Sequence, residues 1–121
     1  MHEYPITCEI IRISESYAKE NGALKILKIG LVVGEYSGFV GDSIHMYFHE
    51  ISIGTMCEDS TIDIRYIKPK LKCTNCGELF ERQLFSFNCP KCNGAGGPTE
   101  IGKEFYIEYI EILDKGGEVN E

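Results

Sequence analysis

Four of the chain's six cysteines stand at spacings that suit metal chemistry. Cys73, Cys76, Cys89 and Cys92 read C-x2-C-x12-C-x2-C. Two thiolates two residues apart can face one tetrahedral ion because the tight turn between them points both sulfurs inward, and a second pair completes the shell. Residues that tolerate a left-handed backbone follow each pair, Gly77 after CTNC and Asn93-Gly94 after CPKC. The gap between the pairs is slightly shorter than is usual for a four-cysteine site, which changes the loop and not the coordination. Four thiolates leave no open position, so the expected ion is a structural zinc rather than a catalytic metal. Iron in the same knuckles and a pair of disulfides are the alternatives. Metal binding would supply on the order of 10–16 kcal/mol of folding energy to this stretch, and its removal should melt the module.

The second chemical feature is Met1-His2-Glu3. At a free amino terminus, the amine, the amide nitrogen of His2 and its imidazole can close consecutive chelate rings on one ion, with the amide nitrogen of Glu3 as a fourth donor. Planar nitrogen donors suit Ni(II) or Cu(II). Protons must leave for the ion to bind, so such a site tightens as pH rises. The initiator Met is expected to survive because a bulky His follows it. A His beside the initiator is otherwise most often an exposed surface residue.

Composition sets the frame for these features. With 121 residues, 43% hydrophobic and 26% charged, the chain is expected to be one globular domain with at most a small appendage. A net charge of −7 argues against a broad nucleic-acid footprint. No apolar run approaches a membrane span and no secretory leader is readable, so a cytoplasmic protein is expected. In that compartment most cysteines serve something other than disulfides.

The elements that must position the two sites follow from periodicity. Ile6, Ile10, Ile13 and Tyr17 recur at helical spacing, with Pro5 in the first turn and Asn21-Gly22 as a stop. Leu24–Val33 alternates as a strand. A second helix carries Ile44, Tyr47, Phe48 and Ile51 on one face, with Asp42 or Ser43 as its cap and Gly54 beyond its end. Thr61–Ile67 and Glu104–Leu113 read as strands, and Asp114–Glu121 as a frayed acidic tail. Residues 68–98 are locally basic, with Lys68, Lys70, Lys72, Arg82 and Lys91 against Glu78 and Glu81. The expected fold class is α+β: a small three-stranded sheet with two helices on one face, and a zinc-ribbon-like four-cysteine module inserted before the last strand.

Taken together, these features resemble the hydrogenase nickel-incorporation family called HypA (or HybF), metallochaperones that help deliver nickel to [NiFe] hydrogenase and in some organisms to urease. The resemblance rests on MHEYPI, LKIGLVVGEYSGFVGDSIHMYFHEISIGT, CTNC, CPKC and EIGKEFYIEYIEI, and runs from Met1 to about Leu113. It implies a nickel-binding domain over 1–67 and 99–121 and a zinc-binding domain over 68–98. Carried over residue by residue, it makes His2 the nickel ligand through imidazole and backbone nitrogen. Met1 gives its amine, and Glu3 its amide nitrogen with the carboxylate nearby. Cys73, Cys76, Cys89 and Cys92 match the zinc ligands. Ni(II) is then transient cargo and Zn(II) structural. The implied partners are a nickel-handling GTPase or ATPase of the maturation pathway and the immature hydrogenase large subunit, with no nucleic acid and no membrane; a homodimer stays open.

The remaining chemical residues read more plainly. Cys8 and Cys57 fall outside the motif and read as small buried hydrophobes. His45 and His49 share a helix face beside the apolar stripe, which favours surface histidines over a second nickel or partner contact. Glu108 and Glu111 fall on opposite strand faces, and Gly94–Gly97 is a Gly-rich turn without the context of a nucleotide loop. No catalytic signature is present, so an enzyme is not expected. The competing reading is a zinc-ribbon module that binds protein or nucleic acid; it needs no free amino terminus, whereas the carrier does.

Overall fold

The computed structural model describes residues 3–114 and 119–120. In chain order the elements are α1 (Glu3–Glu20), β1 (Ala23–Gly34), α2 (Gly41–Ile51), β2 (Thr61–Ile67), β3 (Leu71–Cys73), β4 (Leu79–Phe80), β5 (Gly96–Pro98), β6 (Phe105–Asp114) and β7 (Val119–Asn120). The α+β class holds. Contacts divide the chain into two units, one of residues 1–32, 39–65 and 106–121, the other of 33–38 and 66–105.

The larger unit is built on a sheet ordered β2-β1-β6-β7. Central β1 carries the densest apolar run, and Ile26, Ile29, Leu31, Val32 and Val33 are all buried. Such a continuous run marks a strand covered on both faces. The expected three strands become four because Val119–Asn120 pairs antiparallel with Ile112 and Leu113. Within the tail expected to fray, Val119–Asn120 is thus a strand, while residues 115–118 and 121 lie outside the described residues. On β6, Tyr109 lies over Gly30 of β1, where a Cβ would meet its ring within 2.5 Å. Its hydroxyl reaches the Asp63 carboxylate on β2 at 3.2 Å. One ring thus spans three strands.

The two helices pack on each other. α1 ends at Asn21-Gly22 as expected, with Gly22 at φ 71°. Of the expected stripe Ile10 is buried, Ile6 and Ile13 are half-buried and Tyr17 is exposed; the buried face is Glu3, Thr7, Ile10, Ile11, Ser14 and Ala18. Small side chains at 7, 14 and 18 let a neighbouring helix approach closely, which outweighs the hydropathy of the stripe beside them. α2 buries Ile44 and Phe48 as expected, but neither Asp42 nor Ser43 caps it. The N-cap is Val40, whose backbone N–H donates to the Glu3 carboxylate at 3.1 Å. A carboxylate from another helix supplies the cap and complements the positive end of the α2 dipole.

The smaller unit holds a three-stranded sheet ordered β4-β3-β5. Antiparallel β3 aligns Leu71 with both Phe80 and Pro98, and Cys73 with Gly96. The segment expected as a Gly-rich turn ends in strand β5. Glycine is required at 96, since a Cβ there would lie 2.5 Å from the Phe87 carbonyl and 2.6 Å from the Phe80 ring.

Candidate metal centre

Two knuckles of the smaller unit bring four sulfurs together. The first leaves β3 at Cys73 and turns through Thr74-Asn75 to Cys76, closed by the Gly77 N–H donating to the Cys73 carbonyl at 3.1 Å. The second repeats this from Cys89, where the Asn93 N–H donates to the Cys89 carbonyl at 2.8 Å. Gly77 at φ 78° and Asn93 at φ 64° take the left-handed positions expected of them. All four Sγ atoms lie within 4.8 Å of one another, with Cys73–Cys92 at 3.3 Å and Cys76–Cys89 at 3.8 Å. Tetrahedral bonds of about 2.3 Å put sulfurs roughly 3.8 Å apart, so this cluster fits a zinc-sized ion. None of the four is in a disulfide.

Donors surround the sulfurs. Backbone N–H groups of Asn75 and Cys76 point at Cys73 Sγ, that of Lys91 at Cys89 Sγ and that of Gly94 at Cys92 Sγ, each at 3.4 Å. The Asn75 side-chain amide reaches Cys92 Sγ at 3.6 Å. That amide, followed by the Gly94 N–H, pushes the Cys92 thiol down to about 6. The Cys76 N–H is the main cause that lowers Cys73. These donors favour negative sulfur at Cys73 and Cys92, the form a metal requires, whereas at Cys76, against the lowering Glu78 N–H, the neighbouring Cys92 sulfur helps push the thiol up to about 12. Asn75 escaped the sequence reading, although an Asn inside CTNC is the signal that could have found it. The cluster is underlain by a small core of Cys73, Cys89 and Phe80, with Leu71 against it.

Within this module, the loop between the knuckles carries the two most exposed large hydrophobic side chains among the described residues. Leu84 and Phe85 are 82% and 89% exposed, and Phe85 stands at φ 60°. Phe87, also exposed, packs under the Arg82 guanidinium at 4.4 Å. The lysines of this module are partly spent on its acids, Lys68 near Glu81 and Lys91 near Glu78.

The amino-terminal site is divided by what the structure describes. Met1 and His2 lie outside the described residues. Glu3 opens α1 and is buried at 5% exposure; its carbonyl accepts from the Thr7 hydroxyl at 2.5 Å and its carboxylate from Val40. Cys8 is half-buried on α1 and Cys57 fully buried after α2, while His45 and His49 are exposed on α2. Among the described residues no helix is long and apolar enough to cross a membrane.

Comparison with known proteins gives this arrangement a family. The profile described as hydrogenase/urease nickel incorporation, metallochaperone, hypA, matches residues 1–112. The chain belongs to the HypA family. A hydrogenase maturation factor HypA from Caldanaerobacter subterraneus subsp. tengcongensis is 35% identical over 113 residues, 93% of this chain and 99% of that protein. One from Dehalococcoides mccartyi is 38% identical over 115 residues, 95% of this chain and 97% of that protein. Among solved structures, the solution structure of the Ni metallochaperone HypA from Helicobacter pylori matches with a TM-score of 0.64 at 28% identity, covering 95% of this chain and all of that one. The HypA resemblance of the sequence is therefore a membership, and it names a metallochaperone rather than an enzyme family.

Proposed function

We propose that the chain carries Ni(II) on Met1, His2 and Glu3 and delivers it in the cytoplasm, with a partner nucleotide hydrolase, to the immature [NiFe] hydrogenase large subunit. Its own resident ion is a structural Zn(II) on Cys73, Cys76, Cys89 and Cys92. The observation that carries the reading is the match of residues 1–112 to a nickel-incorporation family. The nickel domain is the sequence over 1–67 and 99–121, and the zinc domain is 68–98.

The start of α1 supports the chelate. The first four N–H groups of a helix have no intrahelical acceptor, so the Glu3 amide can lose its proton to nickel without breaking a helical hydrogen bond. Two deprotonated amides cancel the ion's double charge, leaving a neutral complex that the positive helix end does not repel. The Glu3 carboxylate stays with Val40 and fixes the amide that nickel uses. Few anchors hold the ion, so it can pass to another ligand set when a partner docks. Cu(II) outranks Ni(II) at such donors, so selectivity comes from metal supply and from the partner. The exposed Leu84–Phe85 tip of the zinc domain is the surface it offers that partner.

The test is nickel titration of the untagged chain, of His2→Ala, and of the chain with two residues added before Met1, following the d–d band of a planar complex. The band should vanish in both altered chains while zinc stays at one per chain. Unchanged binding in His2→Ala would sink the reading. Equal binding by the extended chain would return the zinc-ribbon reading to contention.

A further inference from the structure

His45 and His49 are two of the chain's three histidines, and both are exposed on α2. Side chains at i and i+4 stand about 6 Å apart at Cβ on one helix face, a spacing at which two imidazoles can meet on one ion. The structure adds their surroundings. Both line a hollow of about 460 Å³ with Phe48, Glu58, Asp59 and Thr61. Phe48 is buried, while the Glu58 carboxylate is held in place by the Gly54 N–H at 2.7 Å. α2 ends at Ile51, so His49 stands in its last turn, where the helix dipole favours a cation, with His45 one turn before it.

Two imidazoles, two carboxylates and a negative helix end make one chemical demand. We propose that His45 and His49 form a second divalent transition-metal site, which holds Ni(II) through two imidazole nitrogens with water completing its shell. Glu58 and Asp59 balance the ion's charge from the wall of the hollow. Imidazole suits nickel, and a shell that is mostly water exchanges readily. The start of α2 is also where Val40 meets Glu3, and the two histidines lie roughly 7 and 14 Å farther along the helix axis. On the N-terminal carrier reading, on which this last step rests, α2 bears a weak entry site, and its start is held by Glu3 of the tight carrying site that opens α1.

The two sites differ in spin. A planar four-nitrogen Ni(II) complex is diamagnetic, whereas a water-completed two-imidazole complex is paramagnetic and broadens nearby NMR signals. The probe is Ni(II) alone, added to the zinc-loaded full chain with His2→Ala, in which every imidazole signal belongs to His45 or His49. Both should broaden at less than one equivalent, and calorimetry should give one weak site. Losing one imidazole of two should cost more than the roughly 10–100-fold that loss of an outer partner costs, in His45→Ala and in His49→Ala alike. Asp59→Asn, with both imidazoles kept, should weaken the site less. Both histidines are exposed, so these variants keep the fold. In the chain with native His2, His45→Ala should leave the planar band intact. Sharp His45 and His49 signals, or equal affinity in the single variants, would overturn the proposal; a planar band that survived His2→Ala would instead overturn the carrier reading.

Discussion

Cys57 is buried without being a ligand, and burial governs its chemistry. Desolvation, followed by the nearby Glu15 carboxylate, pushes its thiol up to about 12 from an ordinary 9.0, against opposing hydrogen bonds with Thr55 and Ser60. The folded chain keeps this proton over a range where the unfolded chain loses it, so the unfolded state binds fewer protons and stability falls as pH rises from 9 toward 12. Cys57→Ala should flatten that alkaline limb, measured by denaturant titration across the range. Native protein treated with iodoacetamide near pH 8 should leave Cys57 unmodified in peptide mapping, with labelling after denaturation. A Cys57 that labels as fast as Cys8 would contradict this. The sequence reading had both thiols as small hydrophobes: Cys57 is one, and Cys8 is only half-covered. At Glu3 the carboxylate was expected beside the nickel and not at the start of α2, because its partner Val40 lies 37 residues away and no local pattern links them.

At the scale of elements, what was legible is what is local. Both knuckles were readable because their ligands and left-handed residues sit within five positions of each other. The stripe of α1 was not, because Thr7, Ser14 and Ala18 are buried for their size, which hydropathy does not record. β5 was hidden for a related reason, since glycines read as turn while Gly96 serves a close crossing. The same physics gives a graded expectation for two other glycines. A Cβ at Gly34 would lie 2.1 Å from the Gly102 carbonyl oxygen, a backbone atom with nowhere to go, while at Gly30 the obstacle is the Tyr109 ring. Gly34→Ala should therefore exceed the typical 1–3 kcal/mol of overpacking and lower the melting temperature more than Gly30→Ala, which frees the ring at the cost of its Asp63 bond. Equal melting points would show that the backbone crossing yields. Within the first knuckle, Asn75→Ala should weaken metal retention roughly 10–100-fold in chelator competition, with all four sulfurs kept.

Across the whole molecule, stability is unequally sourced. The larger unit has β1 and two packed helices to bury, whereas the core of the smaller one is little more than Phe80, Leu71 and two of its own ligands. Prolonged chelation should therefore unprotect residues 66–105 in hydrogen exchange while α1 and α2 keep their protection. Loss of helical protection in step would mean that the ion stabilises the whole chain. The α+β class and the cysteine insertion were legible because both rest on periodicity and spacing; the fourth strand was not, since two residues carry no periodicity.

The strand order also sets a schedule. β1 is read out early by the ribosome, but its neighbour β6 comes only after the entire cysteine module, so the central strand waits through some seventy residues of synthesis with one edge bare. At the usual 5–20 residues per second that wait lasts several seconds, in which the knuckles can already fill while an apolar edge stays open to other chains. A message that stalls before Phe105 should therefore leave a product that takes up its metal and yet aggregates.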